Sequence, residues 1–340
     1  MSLIADYASP GIGEWFMSSI MAQRGVSRGQ AGTNHELTKE RQGTYPYTIG
    51  PYSEPVMNVA PGDRIKFWTP DCFEGRIQNE SDKPSEILEL PFINPQCGPV
   101  MVDGAEKGDV LAIYIESILP IESDSKGICC LIPEFGGLTG TNYTATLNEP
   151  LPEVVRRIPL DRQHVYWSDR VTLPYRPHIG TISCSPEIDS INALTPDQHG
   201  GNMDMPDICP GNILYLPVKV SGGRFFIGDC HACQGDGEVC GVAVEHATTT
   251  SVQIDLIKNW EISWPRIEAE NFIMAVGSAR PLEDAARIAY RELVYWLEDE
   301  YGFDRWDAYM MLSQCGQVRL GNFVDPKYTV GAAIAKERID

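Results

Sequence analysis

The reading of this chain turns on Ile213-Leu-Tyr-Leu-Pro-Val-Lys-Val220, followed by Phe225-Phe-Ile-Gly-Asp-Cys-His-Ala-Cys-Gln-Gly-Asp-Gly-Glu-Val-Cys-Gly-Val-Ala-Val-Glu245. The two apolar runs read as strands. The span after Ile227 is a tight polar turn, and Val239 to Val244 reads as a further strand. Such a turn presents proton-transferring and metal-capable groups from a rigid scaffold. Alternate strand residues share a face, so Asp229, His231 and Cys233 are expected to point together. The same count sends Glu238 and Glu245 to opposite faces of the following strand.

Working outward, the strand rhythm continues on both sides. Val56 to Val59, Arg64 to Thr69, Val100 to Val102 and Val110 to Ile118 are short runs separated by the Pro61-Gly62-Asp63 and Gly104 to Gly108 turns. Thr248 to Ile257 and Phe272 to Val276 follow the central stretch. The chain holds 31 glycines and 25 prolines, as a turn-rich fold requires. The fold class expected is mainly β, a β-sandwich or barrel of short strands, with a smaller α+β C-terminal portion. Leu282, Ala285, Ala286, Ala289, Leu293, Trp296 and Leu297 recur at helical spacing and stop at Gly302, and a second helix is expected from Asp304 to Cys315. The domain reading is an irregular N-terminal arm over 1–50, a β-rich body carrying the site over 51–260, and the α+β portion over 261–340. The arm is expected to hold one short helix near Glu14 to Ala22. It also carries Gly25-Val-Ser27-Arg-Gly29, which matches a nucleophile-elbow pattern but lacks the strand that should lead into one.

With 27 basic and 47 acidic side chains the net charge is −20, which repels phosphate backbones and anionic lipid. Nucleic-acid and membrane partners are not expected, whereas a small neutral substrate is compatible. No apolar run approaches the ~20 residues of a membrane helix. The first residues lack the form of a secretory signal. The ten cysteines are scattered, which suits free cytosolic thiols, so a cytoplasmic location is expected.

Three chemistries compete. For metal-assisted hydrolysis the candidate ligands are Asp71, Asp204, Asp229, His231 and Glu245, with Glu238 or Glu134 handling protons. The 199–207 segment, His-Gly-Gly-Asn-Met-Asp-Met-Pro-Asp, reads as a glycine-hinged loop whose Asn202, Asp204 and Asp207 oxygens suit a hard cation. A thiol route would use Cys230, Cys233 or Cys240 beside His231. A third reading is a metal-stabilised β-sandwich used only for binding. Nucleotide chemistry is unsupported, since Gly235-x-Gly237 lacks the last glycine of the dinucleotide motif and no Walker loop occurs.

Gly228 to Glu245 resembles the signature of the acetamidase/formamidase family. Further blocks agree in the same order: Ala60-Pro-Gly-Asp63 with Asp71, Cys97-Gly-Pro-Val-Met-Val-Asp-Gly-Ala-Glu-Lys-Gly-Asp109, Pro177-His-Ile-Gly-Thr181 and His199-Gly-Gly-Asn-Met-Asp204. Trp264-Pro-Arg266, Gly277-Ser-Ala-Arg280 and Glu283-Asp-Ala-Ala286 extend it from about Asn34 to the C-terminal end. Cys233 stands where the family pattern has a small residue such as alanine. The resemblance implies hydrolysis of formamide or acetamide to carboxylate and ammonia, a mostly β fold, and a homodimer or higher homo-oligomer. It points to Asp71, Asn202, Asp204, Asp229, His231 and Glu245 as polar site positions. The expectation is then a divalent ion, zinc or calcium, held chiefly by His231 and Asp204. Glu238 is the general acid or base, and His199 and Asn202 contact the substrate.

Overall fold

The computed structural model describes residues 19–24, 32–121, 125–139 and 150–339. A nine-stranded sheet runs through most of the chain. Its order is Asn34–Leu37, Arg64–Thr69, Thr248–Ile257, Val110–Pro120, Ile213–Pro217, Arg266–Glu268, Phe272–Ala279, Tyr328–Ala335 and Gln317–Asn322. The first pair is parallel and the other pairs are antiparallel. A five-stranded sheet, ordered Gly200–Asn202, His178–Ser183, Phe225–His231, Cys97–Val102 and Met57–Val59, packs across it. Strands on either side of the expected boundary at residue 260 therefore lie in one sheet.

The two-residue period of a strand explains the layering. Along Val110–Pro120, Leu111, Ile113 and Ile115 join Ile65, Phe67, Val252, Ile254, Ile179, Phe225 and Ile227 in the core between the sheets. Val110, Ala112 and Tyr114 point the other way, into a second core with Leu293, Trp296, Leu297, Ala308 and Leu312 of the helical layer. A central strand covered on both faces reads as a continuous apolar run, which this one is. A strand covered on one face shows half-buried alternation instead, as in Arg64–Thr69, where Ile65, Phe67 and Thr69 are buried and their neighbours are half-buried.

Helix Leu282–Tyr301 carries Glu283 and Asp284 in its first turn, complementing the backbone N–H groups there. It ends on Gly302 in the left-handed region at φ 70°. Helix Arg305–Cys315 starts where the sequence placed it, with the Asp304 carboxylate accepting from the Trp306 and Asp307 N–H groups.

Three expectations are corrected. Val239 to Val244 is not a strand: after His231 the chain runs irregularly to Thr248. Alternation alone misleads here because both ends of the segment are drawn into one buried polar cluster. Within the expected arm, Asn34–Leu37 is an edge strand of the large sheet, too polar and short to show a pattern. The glycines of the 199–207 segment are not hinges, for Gly200–Asn202 is a strand paired with His178–Ser183. A Cβ on Gly200 would lie 2.3 Å from the Ile182 carbonyl oxygen, and one on Gly201 would lie 2.4 Å from that of Thr195. Of the expected short arm helix, Ile20–Gln23 is described, and it extends one residue past the expected end. The Gly25 to Gly29 motif lies outside the described residues.

Gly277 sets how closely helix and sheet approach: a Cβ there would stand 2.5 Å from the Ala285 carbonyl oxygen and 2.7 Å from the Ala289 nitrogen, both backbone atoms. Gly277→Ala is expected to cost about 1–3 kcal/mol through overpacking. The check is the urea midpoint against wild type; an unchanged midpoint would show that the helix can shift freely.

Candidate active site

The strand Phe225–His231 carries two polar side chains at its end. Asp229 leaves regular geometry at φ 55°, so its carboxylate turns beside the His231 ring. Between them, Cys230 points back into the sandwich, against Thr69 and Thr250. The paired strand sets His178 opposite His231, edge to face with ring centroids 4.8 Å apart. The irregular segment that follows returns Glu245 to His231 through a backbone bridge, with Glu245 N–H donating to the Ile128 carbonyl at 2.9 Å. On the way, Glu238 turns inward at φ 48°.

Carboxylates converge on the Nε2 of His231. Asp229 Oδ1 and Glu245 Oε2 are each 3.3 Å away and Asp204 Oδ1 is 4.0 Å away. Asp204 is at φ 45°, so three of the clustered acidic residues adopt a backbone region that non-glycine residues rarely use. Strain of this kind, of order 1–3 kcal/mol each, gathers where function fixes a side chain.

A frame of amides holds the acids in place. The Asn94 side-chain N–H group donates to Asp229 Oδ2 at 2.9 Å and to Asn202 Oδ1 at 3.1 Å. Asn202 donates to Asp204 Oδ2 at 3.0 Å and to Asp325 Oδ2 at 2.7 Å, and Asn322 donates to Asp204 Oδ2 at 3.1 Å. Thr181 donates to Asn202 Oδ1 and, at 3.2 Å, to Asp229 Oδ2. A cleft opens over the cluster, lined by Asn94, Asn202, Asp229, Glu238, Glu245 and Asp325 on its polar side. Phe73, Ile93, Ile132 and Leu194 are among its apolar walls, and its empty volume, open mouth included, is about 320 Å³.

Burial of so many acids dominates the electrostatics. Burial pushes Glu238 well above the usual carboxylate range, with Asp204 adding to the effect. Glu245 and Asp325 are raised for the same reasons, and Asp204 is brought to about 6 by burial and by Asp229. Burial alone would strip His231 of its proton, but Glu245 and Asp229 outweigh that and raise its pKa well above the histidine range. At His178 the balance is reversed: burial, helped by His231, outweighs Gln234, the Arg176 backbone and Asp229 and holds its pKa down to about 3.

The donor set fits a divalent cation. Asp204, His231 and Glu238 offer ligand atoms within 4.8 Å of one another, and so do Cys72, Asp229 and Glu245. Ligands ~2.0–2.1 Å from a tetrahedral ion stand roughly 3.3 Å apart, the spacing found from His231 Nε2 to Asp229 and Glu245. Asp204 Oδ1 and Glu245 Oε2 are buried acceptors with no hydrogen-bond partner. A bound cation would satisfy both.

Asp204, Asp229, His231, Glu238, Glu245 and Asn202 therefore come together, whereas four expected residues do not join them. The carboxylate of Asp71 accepts from the Phe73 and Gly75 N–H groups and caps its own turn; its neighbour Cys72 faces the cluster instead. Glu134 is exposed on a turn at φ 63°, with solvent rather than the cleft around it. His199 is buried beside Gly201 and outside the cleft lining, and burial lowers its pKa to about 4. Asp207 is paired with Arg319 at 2.8 Å. Sequence reasoning missed Cys72, Asn94, Gln234, Asn322 and Asp325. His178 and Thr181 lay inside a quoted block, but no spacing rule marked them.

The thiols offer little to a nucleophile reading. Cys230 is fully buried with a raised pKa, and Cys233 is pushed up to about 11 by burial. Cys240 is lowered to about 6 by a hydrogen bond from Cys129, yet its sulfur is turned to the Val242 carbonyl at 3.1 Å.

The model of the Acetamidase/Formamidase family matches residues 49–194 and 188–337. The chain belongs to the acetamidase/formamidase family. An acetamidase of Yersinia enterocolitica with a known crystal structure is 63% identical, with a TM-score of 0.95 over 97% of this chain and 100% of that one. An acetamidase from Bacillus halodurans is 31% identical, with a TM-score of 0.81 over 89% of this chain and 99% of its own. The formamidase of Methylophilus methylotrophus is 27% identical over 60% of this chain, and the match spans 62% of that relative's length. A gamma lactamase from Delftia acidovorans, 20% identical with a TM-score of 0.59 over 90% of this chain and 93% of that one, shares the fold. Among the described residues no helix is long and apolar enough to cross a membrane.

His199, buried and neutral, gives the fold an acid-side liability. Its folded pKa of about 4 lies below the ordinary 6.5, so the unfolded chain binds the proton more readily. Its contribution is full above pH 6.5, declines as pH falls, and is gone below about 4. The whole effect is about 3 kcal/mol. Urea unfolding of His199→Gln should lose less stability than wild type between pH 6.5 and 4.5, by about one bound proton in slope. Parallel pH profiles would contradict this.

Proposed function

We propose that this protein hydrolyses short aliphatic amides, formamide or acetamide, to the carboxylate and ammonia, using a divalent ion at the His231 cluster. The observation that carries the reading is the convergence of Asp204, Asp229 and Glu245 on one buried imidazole nitrogen, with two carboxylate oxygens left without partners. Family membership supports the amide as substrate. The apolar walls over a polar floor suit a ligand of a few heavy atoms.

Asp204, Asp229, His231 and Glu245 would hold the ion, with Cys72 at its margin. Zinc suits one imidazole among carboxylates, and calcium would draw more heavily on the oxygens. When bound, the ion supplies a water that ionises near neutral pH and polarises the amide carbonyl. Hydrolysis joins a water oxygen to the carbonyl carbon and breaks the C–N bond, and the nitrogen must gain a proton before it leaves. Glu238 is the group for that proton: burial raises its pKa well above the usual carboxylate range, which favours the protonated form a general acid needs. Asn94 and Asn202 hold the acids in register and border the substrate. Phe73, Ile93 and Ile132 limit the acyl chain and exclude bulk water. The homo-oligomer implied by the resemblance has apolar surface available in the exposed Trp306, Tyr309 and Met310.

Chelation should abolish ammonia release from formamide or acetamide, and add-back of zinc or calcium should restore it. Alkylation of accessible thiols should leave the rate unchanged. Glu238→Gln should lower kcat by about 10²–10⁴-fold. Activity indifferent to chelation but lost on alkylation would replace this mechanism with a thiol one.

A further inference from the structure

Gln234 lies three residues past His231 in the irregular segment, and its amide orientation can be read from its partners. Its side-chain N–H group donates to the Asp204 carbonyl at 2.8 Å and to the Gly321 carbonyl at 2.9 Å. Backbone carbonyls only accept, so the flipped amide would set oxygen against two oxygens. The amide oxygen therefore faces the histidines, 2.9 Å from His231 Nδ1 and 3.0 Å from His178 Nε2.

That orientation decides the protons. An amide oxygen has two lone pairs and no proton, so both ring nitrogens can donate to it. Of the two His178 ring nitrogens, Nε2 is the one that reaches this oxygen. His178 Nε2 also lies 3.1 Å from His231 Nδ1, so the two ring nitrogens meet at one amide oxygen. His231 keeps its proton on Nδ1, and its Nε2 is turned to Asp204, Asp229 and Glu245. Gln234 also grips the backbone of Asp204, so one amide fixes both the imidazole and the acid facing it.

We propose that Gln234 is the positioning residue of this site: it locks His231 with Nδ1 protonated and Nε2 presented to the ion, with His178 Nε2 beside it on the same amide oxygen. This rests on the reading of the cluster as an ion-holding amidase site. Outer partners of this kind typically change metal affinity by about 10–100-fold when removed. Gln234→Leu removes both the acceptor and the donors. Gln234→Glu keeps an acceptor at the same reach but loses the N–H groups that bind the Asp204 and Gly321 carbonyls.

The test uses the full chain labelled with ¹⁵N-histidine, of which there are six residues, before and after loading with zinc. Two-bond proton–nitrogen spectra report which ring nitrogen carries hydrogen, and chelator competition reports zinc affinity. In the zinc-loaded wild type, His231 should carry hydrogen on Nδ1 alone. Gln234→Leu should lose that fixed signature and bind zinc about 10–100-fold more weakly. Gln234→Glu should restore the signature and most of the affinity while unfolding at lower urea. A bare Nδ1 on His231 in the wild type, an unaltered Gln234→Leu, or equal loss in both variants would overturn the assignment. If the protein binds no divalent ion, the metal-dependent reading fails separately, while the Nδ1 proton in the protein as purified still judges Gln234.

Discussion

The structure depends on gathering acidic side chains inside the protein around a single imidazole. Asp204, Asp229, Glu238, Glu245 and Asp325 are all buried, and Asp204, Asp229 and Glu245 face the His231 ring. Isolated ionised carboxylates cannot stay in such a place; they take up protons, find hydrogen-bond donors or share a cation. Each of these remedies has its residues here. Asn94, Asn202, Asn322 and Thr181 supply neutral donors, burial raises the pKa values of Glu238 and Asp325 and so favours their protonated forms, and the oxygens still without partners face His231.

The sandwich supplies the rigidity this needs. The five-stranded sheet carries His178, Thr181, Asn202, Asp229 and His231 on three neighbouring strands, so five polar positions are fixed by one hydrogen-bond ladder. Behind it, the nine-stranded sheet and its helices provide two apolar cores. The C-terminal strands Gln317–Asn322 and Tyr328–Ala335 close the large sheet and bring Asn322 and Asp325 over the cluster. The expected C-terminal portion is thus physically part of the site.

Much of this was legible in the sequence where one local rule acts alone. Arg64–Thr69 and Thr248–Ile257 read as strands and Asp304 to Cys315 as a helix, and the structure has all three. The matching blocks pointed to Asn202, Asp204, Asp229, His231 and Glu245, which the fold brings into one cluster. Failures came where long-range contacts overrule local pattern. Val239 to Val244 alternates like a strand but is bent by two inward-turned glutamates. Asp71 looked like a ligand by motif, yet its own backbone satisfies its carboxylate and leaves Cys72 facing the acids. Asn94 and Asp325 join the cluster through tertiary contacts across 135 and 123 residues of chain, which no periodicity encodes.

The left-handed backbone at Asp204, Asp229 and Glu238 sets stability and chemistry against each other. Glycine at any of these positions would relieve a conformational penalty and remove a buried acid together. A chain drifting without selection for its chemistry would be drawn toward such replacements, because they favour a sturdier and inert sandwich. The acids at these positions therefore mark where selection for function acts against selection for stability.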